Sequence, residues 1–208
     1  MKKGSLYMMH RASLQRFMVG LGIVAAMAGA GCADDGERSA SGAADGGAGG
    51  GGGAPQGSPF DGCSKGELEP DRQGDTFLRG PGVDPETGAL PPGNYLISTT
   101  YLALKPEMTQ RAMELGGPIM QSLFTMKGLV GAATLQSPSC AALRTLSVWE
   151  SEEDMFAFVG SPAHASAMGH ITSISRGSSN VISWEASEAQ ATWEEAARRL
   201  ASETGGDI

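Results

Sequence analysis

Hydrophobic and polar positions fall into distinct regimes along the chain. Phe17 to Gly31 (FMVGLGIVAAMAGAG) is uncharged and largely apolar, whereas residues 33–59 hold almost no apolar side chain of any size. From Asn94 the pattern becomes periodic. NYLISTTYLAL (94–104) is rich in β-branched and aromatic residues, which predicts a strand. In KPEMTQRAMELGGPIMQSLFTMKG (105–128) the apolar positions Met108, Ala112, Leu115, Ile119 and Leu123 step by three and four, the spacing of a helix. Gly116, Gly117 and Pro118 predict a break within it. LVGAATLQ (129–136) reads as a second strand and SPSC (137–140) as a turn. AALRTLSVWE (141–150) reads as a third strand, with Leu146 and Val148 on one face and Trp149 on the other. Ser151 with an acid three residues on is a helix start, and that helix runs through Met155, Phe156, Val159, Ala163 and Ala167 to about Gly169. TSISRGSSN (172–180) is loop-like and NVISWEAS (180–187) is a fourth strand. ATWEEAARRLASE (191–203) is a terminal helix with Trp193, Ala197 and Leu200 as its apolar stripe.

The order strand, helix, strand, strand, helix, strand predicts an α+β fold, ferredoxin-like βαββαβ with an added C-terminal helix. One sheet then carries both helices on one face. The other face, expected to present Trp149 and Trp184, needs a cover, and a second subunit is the expected one. The domain spans residues 94–203, with a tail at 204–208. Residues 60–93 form an irregular lead-in, with Phe60, Leu68, Phe77 and Leu78 interrupted by Pro and Gly and turns at PETG and PPG.

Charge adds a location. Lys2, Lys3, Arg11 and Arg16 precede the apolar run with no acidic residue, the layout of a secretory signal (1–31). The run is shorter than the roughly 20 residues that span a bilayer. It ends in GAGC, which resembles the lipobox of bacterial lipoproteins, with Gly29 where that family favours Leu. The resemblance implies cleavage before Cys32, lipid on Cys32, and a domain held to a membrane of the bacterial cell envelope, outside the cytoplasm. The other reading is an ordinary cleaved signal that leaves Cys32 a thiol. Residues 32–59, dominated by Gly, Ala and Ser, form the tether. Their glycine run has no following Lys-Ser/Thr and is not a phosphate loop. Four of the 15 basic residues lie in the leader, so the chain beyond it has 11 against 23 acidic residues, a net charge of −12. That excludes nucleic acid as a partner and argues against electrostatic binding to anionic lipid. Cys63 and Cys140 are then an even pair in a disulfide-permissive compartment, either bridged or separate thiols.

WESEEDMFAFVGSPAHASAM (149–168) sets Trp-Glu-Ser at a strand end, acids in the first helical turn, Phe-x-Phe, and then Ser-x-x-His-x-x-x-Met. This resembles the antibiotic biosynthesis monooxygenase family of the dimeric α+β barrel superfamily. The ending ISWEAS…TWEEAARRL is similar to a subgroup with an added helix, so the resemblance spans about 94–203. It implies a homodimer with sheets packed face to face, and in each subunit a pocket between sheet and helices for a hydrophobic small molecule. It also implies cofactor-independent oxygenation, in which a deprotonated, electron-rich substrate meets oxygen in a dry site with one base or donor. His164 and Tyr101 are the candidate catalytic groups. Trp149, Phe156, Phe158, Met168 and Trp184 are the pocket or interface candidates, and Met108, Met113, Met120 and Met126 suit an adaptable wall. No cofactor is expected; heme is the alternative. Heme-degrading relatives place an aromatic and, ten residues on, a histidine on the second helix, with an Asn on the first strand. Here Phe158 is followed at that distance by Met168, His170 lies two further, and Asn94 opens the strand, so the set is not reproduced. His164 and His170, six apart, do not share a helical face as a zinc pair would. The plainer readings are a His164 that bonds a backbone carbonyl and a Glu152–Asp154 cluster that serves the helix start. Oxygenase and non-catalytic binding or dimerisation module both remain open from the residues.

Overall fold

A computed structural model describes residues 58–177 and 179–202. The leader, Cys32, the tether up to residue 57, Ser178 and the residues after 202 lie outside the described residues. The sheet is built from β1 (Gln73–Gly74), β2 (Asn94–Ala103), β3 (Leu129–Ser137), β4 (Ala142–Trp149) and β5 (Asn180–Ser187). Its order is β1-β3-β4-β2-β5, antiparallel throughout. The last four strands thus have the ferredoxin-like arrangement, an α+β fold. Helices α1 (Thr109–Leu123), α2 (Glu152–Val159), α3 (Pro162–Met168), α4 (Ile171–Ile174) and α5 (Trp193–Ser202) complete it. Among the described residues no helix is long and apolar enough to cross a membrane.

The predicted break in the first helix is absent. After a short 3-10 turn at Pro106–Met108, α1 runs unbroken through Gly116, Gly117 and Pro118. Pro118 and Glu114 are both exposed, so the carbonyl that loses its N–H partner faces water. The second helix, expected as one, is two. Gly160 ends α2, and Ser161-Pro162 starts α3 with Pro at a first-turn position and the Ser161 hydroxyl accepting from His164 N–H. Part of the expected loop at 172–180 is the one-turn α4. Ser151 caps α2 as expected, accepting from Asp154 N–H at 3.2 Å.

Strict alternation along β2 and β4 sorts side chains onto two faces. On one, Trp149, Leu129, Ala132, Leu123 and Met155 cluster beneath α1 and α2. On the other, Ile97, Leu146, Val148 and Trp184 pack with Trp193 and Ala196 of α5 and with Leu78 of the lead-in. Two expectations are therefore corrected. Trp149 and Trp184 lie on opposite faces, because Trp184 pairs across the strands with Ile97 whereas Trp149 pairs with Leu96. The second face is also not bare. Residues 58–93 and α5 of the same chain cover it.

The lead-in is fixed in three ways. Between Gln73 and Gly82 it runs as a broken edge strand along β3: Gln73 and Gly74 pair with Gln136 and Leu135, Arg79 exchanges both backbone bonds with Ala132, and Gly82 N–H donates to Val130 O. The approach is close enough that a Cβ on Gly74, at φ +126°, would lie 2.4 Å from Thr134 O, so only glycine fits. Cys63 and Cys140 form a disulfide, Cα–Cα 5.6 Å, joining the lead-in to the β3–β4 turn. A closed loop of this length, 77 residues, stabilises by about 4 kcal/mol in the chain-entropy account. Third, Arg144 on central strand β4 is 2% exposed and pairs with Glu69, 5% exposed. Its Nε donates to Glu69 Oε2 at 2.8 Å and its Nη2 to Oε1 at 3.0 Å. Nη1 and Nη2 also donate to the carbonyls of Lys65, Ser64 and Glu67.

Glu69→Ala leaves that cation buried without its counter-ion, and unfolding in urea should show a loss of about 3–5 kcal/mol. Limited proteolysis should then cut first within 64–82. A loss below about 1 kcal/mol, the range of a solvent-exposed pair, would show that the lead-in is not held by this interaction.

Candidate functional site

The helix-covered face is where the resemblance places a pocket. Trp149 is fully buried there, its indole N–H donating to Ser147 Oγ at 3.0 Å. Phe158 of α2 stacks on it with ring centroids 5.6 Å apart, and His164 of α3 meets Phe158 edge-on at 5.1 Å. The His164 Nδ1–H donates to Val159 O at 3.0 Å, closing the α2–α3 junction. Burial holds the His164 imidazole below its ordinary value near 6.5, opposed by that carbonyl. The shift favours the neutral ring. Met120 and Met126 pack against the same cluster, Met108 joins a separate one near Leu104, and Met113 is exposed.

The other sequence candidates are dispersed. Phe156 and Met168 are 45% and 39% exposed and point away from this interior. Trp184 is buried on the opposite face, with the Arg199 guanidinium 4.8 Å from its ring. Tyr101 also lies on that opposite face, across from Arg144, so the sheet separates it from His164. The two candidate catalytic groups are not brought together. The residues present do not fit a heme: Phe158 is taken up between Trp149 and His164, and Asn94, Met168 and His170 are all exposed. The acids of the α2 first turn serve structure. Asp154 accepts from Ser151 Oγ and from Lys127 Nζ at 3.2 Å, and those two bonds, Ser151 first, hold its carboxyl below the usual range.

Open space lies instead on the lead-in side. A cleft of about 500 Å³ is bounded by Phe60, Cys63, Ser64, Lys65, Tyr101 and Arg176, with Ser58 at its edge. A second, of about 340 Å³, lies between Phe77, Leu146, Trp193 and Glu194. Tyr101 forms the floor of the first. It is 2% exposed, and the Arg144 guanidinium sits 4.6 Å from its ring. Burial, then the charge of Glu69, pushes its phenol up, against the pull of Arg144 and Arg176, so at neutral pH it remains a hydroxyl. Arg176 lies over the Phe60 ring at 3.9 Å and donates to Cys140 O at 2.7 Å.

Sequence reasoning singled out Tyr101 but passed over Glu69, Arg144, Lys65 and Arg176. One signal was present. Arg144 alternates with Leu146 and Val148 in AALRTLSVW, which sets a cation on a buried face and demands an acid from elsewhere.

Fold and site together define a ferredoxin-like α+β domain with an aromatic stack on its helix-covered face and, among the described residues, two clefts beside the lead-in. No family model and no curated protein matches the chain. Solved structures are similar over the domain. A conserved protein from Methanosarcina mazei Go1 is 14% identical, with TM-score 0.41, over 43% of this chain and 90% of that one. Rv0793 from Mycobacterium tuberculosis is 11% identical, with TM-score 0.41, over 43% and 92%. A structure described as antibiotic biosynthesis monooxygenase is 11% identical, with TM-score 0.41, over 44% and 97%.

The depressed His164 pKa fixes the sign of a pH effect. The folded state favours the neutral ring, so this contribution is intact above the unfolded value near 6.5 and is lost as pH falls below it toward the folded value. Thermal melts should show stability dropping between about pH 6.5 and 5, where carboxylates of ordinary pKa contribute little. His164→Leu should flatten that segment; an unchanged slope would show that His164 is not the group responsible.

Proposed function

We propose that this chain is a lipid-tethered protein of the bacterial cell envelope, whose antibiotic biosynthesis monooxygenase-like domain acts as a small-molecule binding module. The observation that carries the non-catalytic reading is the Trp149–Phe158–His164 stack, which occupies the space an internal oxygenase pocket would need. The family reading is supported by the 149–168 motif, which falls on the β4 end, α2 and α3 in a ferredoxin-like sheet. The tether reading is supported by the basic leader, the apolar run and GAGC at Cys32.

The domain works as a single copy in this reading. Residues 58–93 and α5 take the place that the resemblance gives to a second subunit.

Native mass spectrometry of the purified chain should show one copy, retaining a small molecule or accepting one from solution. Turnover of an electron-rich aromatic substrate with stoichiometric oxygen uptake would overturn the binding reading, and a dimer at micromolar concentration would overturn the single-copy one. Cys32→Ser should move the protein from the membrane to the soluble fraction. Unchanged membrane partition would remove the lipid anchor from the account.

A further inference from the structure

The cations of the described residues are mostly neutralised. Arg79, Arg111, Lys127, Arg144, Arg198 and Arg199 each have a carboxylate within 4 Å. Lys105 and Arg72 are spent on backbone carbonyls. Lys65 and Arg176 likewise have no carboxylate within 4 Å among the described residues, and these two line the cleft over Tyr101, where Arg176 also donates to Cys140 O. The Lys65 ammonium has no protein partner among those residues, and Arg176 keeps a buried Nε with none.

The rest of the lining is also donor-rich. Ser58 Oγ and Ser64 Oγ each accept a backbone N–H, from Phe60 and Gly66, which leaves both hydroxyl hydrogens free to donate. Tyr101 keeps its phenolic proton and makes no hydrogen bond among the described residues. Among the described residues no carboxylate lines the cleft. The Phe60 and Tyr101 rings and the Cys63–Cys140 bridge supply an apolar wall. Surplus donors and two cations beside aromatic faces call for an acceptor-only, negatively charged group on an apolar body.

We propose that this cleft binds a small organic anion, a carboxylate on an apolar body, with Lys65 and Arg176 on the carboxylate and Phe60 and Tyr101 against the body. This deepens the binding reading and rests on it. The net negative charge of the chain does not oppose it at physiological salt. Distant acids are screened over about 8 Å, whereas the two cations act at contact.

Benzoate is a suitable probe, with benzamide as its uncharged counterpart. Calorimetric titration of the full chain should give saturable benzoate binding with Kd of about 1 mM or tighter. Benzamide should bind at least about tenfold more weakly. Lys65 is half-buried and holds Arg144 through its backbone carbonyl alone, so Lys65→Gln should fold normally by circular dichroism and lose about tenfold in benzoate affinity, with Lys65→Arg restoring it. Equal binding of benzoate and benzamide would overturn the proposal, as would unchanged affinity in a folded Lys65→Gln. Inorganic phosphate competing as well as benzoate would overturn the apolar half of the assignment. A silent titration up to about 10 mM on a protein that retains a neutral ligand in native mass spectrometry would overturn the anion site and leave the binding reading intact. Silence in both would overturn both.

Discussion

A guanidinium with almost no access to water constrains this structure more than any other group. Arg144 sits at the centre of the sheet, and removing an ion from water costs several kcal/mol unless partners replace the lost hydration. β2 offers only the Tyr101 ring, and among the described residues no hydrogen-bond acceptor for the guanidinium comes from β4 or its neighbouring strands. The acceptors come from Glu69 and from the carbonyls of Ser64, Lys65 and Glu67, all in a segment with little regular structure of its own. The ion therefore specifies where that segment lies. Once 64–69 is fixed over β4, Cys63 is within bonding reach of Cys140, and the following residues run along β3 as its edge. α5 closes the remainder, and the Trp193 indole N–H donating to Asp75 O at 3.1 Å joins helix to strap.

This arrangement decides which surfaces are available for function. In a bare ferredoxin-like sheet one face belongs to the helices and the other is exposed. Here the helix face is closed by aromatic stacking around Trp149, and the other face is closed by the chain itself. Among the described residues two clefts lie at the seams of the strap, where polar backbone and charged side chains meet the sheet. A cleft in such a seam differs in character from a pocket under helices. It is lined by serine hydroxyls, a lysine and an arginine as well as by rings. The same strap that covers the second face thus bounds both clefts.

The strands and their order were legible in the sequence because each is bounded by a turn signal and enriched in β-branched or aromatic residues. Less followed from the helical segments. Pro118 suggested a break that water on the exposed side of α1 makes unnecessary, and Gly160-Ser161-Pro162 divides a helix that its apolar spacing had joined. The face of Trp184 was missed for a different reason. Alternation sorts residues within one strand, but which face of β5 matches which face of β4 depends on the register of β2 between them, and register is not local. The candidate site dispersed for the same reason: His164 and Tyr101 each looked plausible alone, and only the pairing of Tyr101 with Arg144 shows that a sheet divides them. The lead-in was the least legible part. Its role rests on a contact spanning 75 residues, between an acid in a Pro- and Gly-rich stretch and a cation in an apolar strand.

The central claim is that residues 64–82 are a structural part of the domain, held as firmly as the sheet they cover. Amide hydrogen exchange of the intact chain measures this directly. The Arg79 N–H, bonded to Ala132 O at 2.9 Å, should exchange as slowly as the amides of β4, through opening of the whole domain. Exchange of Arg79 within seconds while β4 stays protected would show a strap that detaches on its own, and would contradict the account.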